Sequence, residues 1–200
     1  VSVATAAQLR DLLPYLSGTG EDTLLLSFID RADAAIAQRL GFPTTGGGAL
    51  TLASSSYTAY PDAENGGRVS GDTLRLTPWP VSAVTTIHDD QRGGNVTHDS
   101  GSLIAAADYE LDGPAGRVYL VPVRTFGAFS SYRRRCRVVF TAGWATLPAD
   151  LMQAVLMLAK HLYERRPQQG LVSADGKTLA QGEPHEVATL SAPYSVKGYL

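Results

Sequence analysis

The chain has 200 residues, 44% of them apolar and 18% charged, with 17 basic against 19 acidic side chains and a net charge of −2. So apolar a composition excludes a disordered chain, and the near-neutral balance argues against general binding of nucleic acid, leaving only a local patch. A chain of this length buries roughly 70% of its unfolded surface, so one domain with an appended arm is predicted.

A single cysteine, Cys136, rules out an intramolecular disulfide framework and a multi-cysteine zinc site, and fits a reducing compartment. The longest apolar runs, at 24–26 and 154–159, fall far below the ~18 residues that span a bilayer. No charged-then-apolar leader opens the sequence, so secretion is not expected. Asn95-Val96-Thr97 then reads as a chance match to a glycosylation triplet.

In chain order, residues 5–16 form the first predicted helix, with Leu9, Leu12, Leu13 and Leu16 at helical spacing and Pro14 disturbing its last turn. Ser17-Gly18-Thr19-Gly20 makes a turn whose Thr19 or Gly20 caps the next helix, at 21–40. There Leu25, Phe28, Ile29, Ala32, Ile36 and Leu40 form one stripe, Asp30, Arg31, Asp33 and Arg39 lie mostly off it, and Gly41 and Pro43 stop it. The triple glycine Gly46-Gly47-Gly48 is a break.

Residues 50–142 are read as a β region. Its segments are 50–60 (strand or extended loop), 73–77, 81–88, 109–112, 117–121 and 135–142. Pro78-Trp79-Pro80 forces an extended corner. Gly113-Pro114-Ala115-Gly116 reads as a hairpin turn. In the last strand Cys136, Val138 and Phe140 share one face, with Arg135, Arg137 and Val139 on the other. Pro148 and Asp150 open a third helix at 148–166, with Leu151, Ala154, Val155, Leu158 and Leu162 in register and Pro167 closing it. Its apolar face is expected to pack on helix 21–40. Beyond it, 168–200 keeps no period and reads as an extended arm, flexible in the free monomer and ordered against a partner. The predicted fold class is α+β: a helical core of two N-terminal helices and one long C-terminal helix, a small, mainly antiparallel β region inserted between them, and an extended C-terminal arm. One domain spans 1–167 and the arm 168–200.

Enzymatic fingerprints are missing: no phosphate loop, no GxGxxG, no GxSxG elbow, no HExxH. His88-Asp89-Asp90 and His98-Asp99 raise a metal site, but their placement in or beside one polar, Gly-rich loop favours a solvated loop tip. His161 reads as part of an ordinary helix end and His185 as an arm residue. No catalytic residue, metal or cofactor is predicted. Arg133-Arg134-Arg135 with Arg137 is the sharpest charge feature. It suits a defended strand edge or a salt-bridging rim between subunits better than phosphate binding. A helix-turn-helix reading of the first two helices fails on charge, because Glu21, Asp22, Asp30 and Asp33 outweigh Arg31 and Arg39.

The order of segments carries further information. An opening QLRDLLPYLSGTGEDTLLLSFIDRADAAIAQRLGF leads to LRLTPWPVSAVTTI, DYELDGPAGRVYL, RVVFTAGWATLPADLMQAVLMLAKHLYERR and a late LSAPY. This resembles the head–tail connector (adaptor) proteins of tailed bacteriophages, prophages and gene transfer agents. The most specific part is Thr141-Ala142-Gly143-Trp144 running into Pro148-Ala149-Asp150-Leu151. The resemblance implies a structural virion protein at the capsid–tail neck, assembled in the bacterial host cytoplasm. It implies a ring, commonly twelve-fold, below the portal protein, meeting a downstream neck, stopper or tail-terminator protein and passing DNA without sequence-specific contact or membrane. The interface candidates are Arg133, Arg134, Arg135 and Arg137, with Val187, Leu190, Pro193, Tyr194, Val196 and Tyr199 in the tail. The alternatives are a tail-completion or tail-terminator ring protein and a small DNA-binding packaging protein.

Overall fold

The computed structural model describes residues 3–44, 48–61, 69–70, 72–90, 96–121, 129, 134–165 and 184–194. The chain divides into two compact units. One comprises Val1–Phe42, Leu50–Ala53 and Ala145–Leu200; the other comprises Pro43–Ala49 and Ser54–Trp144.

The first unit is helical. Helix α1 (Ala6–Asp11) starts in a capping box: Thr5 Oγ1 accepts from the Gln8 amide, while the Gln8 side chain accepts from the Thr5 amide at 2.8 Å. It ends well before residue 16, because Pro14 offers no amide to Arg10 and its ring would collide with that carbonyl. Single turns continue the chain instead, with the Leu13 amide on the Arg10 carbonyl at 2.8 Å and the Leu16 amide on the Leu13 carbonyl at 2.9 Å. Leu9 and Leu13 are thereby fully buried.

Helix α2 (Asp22–Arg39) buries Leu25, Phe28, Ile29, Ala32 and Ile36, the expected stripe. Its N-cap is Glu21, which makes no side-chain capping bond and instead accepts a hydrogen bond from Tyr163 Oη. At the other end Gly41 adopts φ +79. Its amide meets the Gln38 carbonyl at 3.1 Å and the Phe42 amide meets Ala37 at 2.9 Å. This pair of bonds satisfies the last carbonyls in the way glycine permits. Helix α3 (Ala149–Arg165) buries Leu151, Ala154, Val155, Leu158 and Tyr163. It packs on α2, where the Phe28 and Tyr163 rings meet edge to face at 5.7 Å. Helix α4 (His185–Ser191) lies on α3 and buries Val187 and Ser191. Of the predicted arm, 168–183 and 195–200 lie outside the described residues, as do Arg166 and Pro167.

Asp33 departs from its expected position off the stripe. It is only 5% exposed, and its carboxylate accepts from the Leu52 amide at 3.0 Å and bonds the Thr51 side chain. It therefore fastens the 50–53 segment to α2. Burial raises the Asp33 pKa, opposed by the bonds from Thr51 and Leu52. The protonated form is thus favoured more in the folded chain than in the unfolded one. Its stabilising contribution is full below the ordinary aspartate pKa and fades as pH rises through the folded value. The stability of wild type relative to Asp33→Asn should accordingly fall between pH 4 and pH 7. Paired urea denaturations at the two pH values check this; a difference that rises with pH would reverse the sign assigned to burial.

Among the described residues, the second unit holds two four-stranded antiparallel sheets. The strands are β1 (Ser55–Ala59), β2 (Val69–Ser70), β3 (Thr73–Arg75), β4 (Val81–Asp89), β5 (Leu103–Ile104), β6 (Tyr109–Asp112), β7 (Arg117–Leu120) and β8 (Cys136–Ala142). The sheet orders are β1-β8-β4-β5 and β2-β3-β7-β6. In β8, Cys136, Val138, Phe140 and Ala142 are buried and the intervening residues half-buried. The Phe140 ring sits 5.9 Å from that of Tyr57, its register partner on β1. The β6–β7 turn closes with the Gly116 amide on the Gly113 carbonyl at 3.1 Å. It is held against the 76–81 corner by two further bonds, from the Leu76 amide to the Gly116 carbonyl at 2.7 Å and from the Val81 amide to the Gly113 carbonyl at 2.9 Å.

These sheets correct the expected fold class. The β region is not a small insert in a helical core: it builds two sheets and a compact unit of its own. Nor is there one long C-terminal helix. Among the described residues the helices are short, α3 has 17 residues against 18 in α2, and α4 follows it. The reason is cooperative. Strands of two to five residues carry little periodic signal singly, and only antiparallel pairing across long sequence separations makes them sheets.

Candidate functional site

Arg134, Arg135 and Arg137 lie beside the His/Asp residues at one end of the β1-β8-β4-β5 sheet. Because β4 runs between β8 and β5, His88 faces Arg137 on one side and Leu103 on the other. The expected solvated loop tip is therefore not found at its start: His88, Asp89 and Asp90 are buried, at 8%, 5% and 1% exposure.

Their polar groups are engaged. His88 Nδ1 lies 3.1 Å from the Asp99 carbonyl, an acceptor only, so that nitrogen carries the proton. The Asp99 carboxylate in turn accepts the amides of Gly101 and Ser102, at 2.9 and 3.2 Å. Asp90 accepts the Thr97 amide at 2.8 Å, and its own amide bonds the Arg135 carbonyl at 3.1 Å. His98 Nε2 donates to the Arg134 carbonyl at 3.1 Å, and its ring lies 5.9 Å from Tyr60 and 6.1 Å from His88. These bonds pin the 96–102 loop across the end of β4 and β8. Among the described residues no group of three or more His, Cys, Asp or Glu side chains is arranged to hold a metal. The Cys136 thiol is buried, and burial first, with the Asp89 carboxylate adding to it, drives its pKa far up. It is therefore protonated and unreactive at neutral pH.

The predicted arginines separate. Arg133 lies outside the described residues. Arg134 is exposed, adopts φ +56, and holds its guanidinium 5.2 Å from the centroid of Tyr60. Arg135 Nη1 donates to the Asp90 carbonyl at 3.2 Å. Arg137 is half-buried, and its Nε has no hydrogen-bond partner among the described residues.

Beside Arg134 runs a groove of about 330 Å³. Consecutive residues 57–61 form one wall, and Arg75, Thr77 and Arg134 contribute to the remainder. The sequence reading did not single out Arg75 or Tyr60, since nothing local joins an arginine on β3 to a tyrosine leaving β1.

The tail candidates occupy the other unit. Val187 is fully buried, Leu190 and Tyr194 are half-buried and Pro193 is exposed; Val196 and Tyr199 lie outside the described residues. Near α4, Leu12, Met157, Lys160, His161, Glu164 and Pro184 line a cavity of about 340 Å³. Burial and the Arg165 charge lower the His161 pKa, with Glu164 opposing. No described helix is long and apolar enough to cross a membrane.

No protein-family model matches the chain, and no curated protein does. Seven chains in solved structures do, among them the following two. A chain in the neck of an empty gene transfer agent particle, computed with C6 symmetry, is 24% identical over 99% of this chain and 92% of its own, with a TM-score of 0.60. A chain in the virion of a native gene transfer agent particle is 25% identical over 99% and 92%, with a TM-score of 0.59. The resemblance to head–tail connector proteins read from the sequence agrees with these neighbours, one of which is a neck component.

Proposed function

We propose that this chain is a structural protein of the neck of a phage-like particle, and that it forms a ring below the portal that joins capsid to tail and extends the DNA channel. One observation carries the reading: the fold is shared with gene transfer agent neck and virion chains across 99% of this chain, so the likeness is not confined to one sheet or helix pair. The role is non-enzymatic. Twelve copies fit a particle whose neck was computed with C6 symmetry.

A closed ring needs two different faces of each subunit to meet. In this reading Arg133, Arg134, Arg135 and Arg137 face a neighbouring subunit. The tail, 168–200, reaches the portal or the next copy: Val187 holds α4 on its own subunit, and Leu190, Pro193, Tyr194 and Tyr199 make the contact. DNA passes through without base recognition, and the far rim meets the next neck or tail-terminator component.

Electron microscopy of intact particles tests this. The expected result is a ring of this chain directly below the portal. Density for it at the head-proximal end of the tail tube would instead make it a tail terminator, and its absence from the neck would end the proposal.

A further inference from the structure

We draw no further inference here: the strongest candidate, the cavity of about 340 Å³ beside α3 and the start of α4, lined by Leu12, Met157, His161 and Pro184 among others, adjoins residues 166–183, which lie outside the described residues, so nothing in the structure shows what covers it.

Discussion

Gly113→Ala should lower stability by about 2–4 kcal/mol, among the largest losses expected from a single added methyl group in this chain. A Cβ at that position would sit 2.3 Å from the Val81 carbonyl oxygen, a backbone atom that cannot swing aside. The Val81 amide also donates to the Gly113 carbonyl at 2.9 Å. Relief of the collision therefore stretches the bond that holds the β6–β7 turn to β4. Overpacking costs about 1–3 kcal/mol and a lost hydrogen bond about 0.5–1.5 kcal/mol. Gly20→Ala is the matched control, since nothing lies within 4 Å of its added Cβ and its φ is not positive. Urea denaturation of the two variants checks the argument, and a Gly113→Ala midpoint as close to wild type as that of Gly20→Ala would refute it.

Phe140→Ala comes next, with an expected loss of about 3–5 kcal/mol. Phe140 is fully buried on β8, an interior strand of its sheet, and its ring contacts Tyr57 across the β1–β8 pair. Removing it empties the middle of the sheet's buried face, which backbone pairing on both sides keeps from collapsing. Val139→Ala, one residue away on the half-buried face, should cost only about 1 kcal/mol. The ratio is the informative quantity: equal losses from the same denaturation measurement would mean that the alternation of β8 does not divide core from rim.

Several features followed from local chemistry. The α2 and α3 stripes needed only the helical period, which brings residues three and four apart onto one face. Gly41 stopped α2 because a positive φ was required there. The alternation of β8 and the turn at 113–116 depended on neighbours within a few positions. The likeness to neck connectors also lay in the chain, in the order and spacing of segments such as Thr141–Trp144 running into Pro148–Leu151.

Other features arose where distant segments met. Asp33 reads as a solvated helix residue until Leu52 supplies an amide to its carboxylate. His88, Asp89 and Asp90 read as lying in or beside a solvated loop tip until β5 and β8 enclose the end of β4. Arg133, Arg134, Arg135 and Arg137 read as one patch, yet Arg134 lies over Tyr60 while Arg135 turns to the Asp90 carbonyl. The sequence by itself thus determined the helices, the turns, the principal strands and the connector-like order. Only the tertiary structure decided that short strands become two sheets, which carboxylates are buried, and which arginine borders a groove. Helical and turn preferences are summed over adjacent residues, whereas strand pairing and polar burial depend on partners far along the chain that no local pattern names.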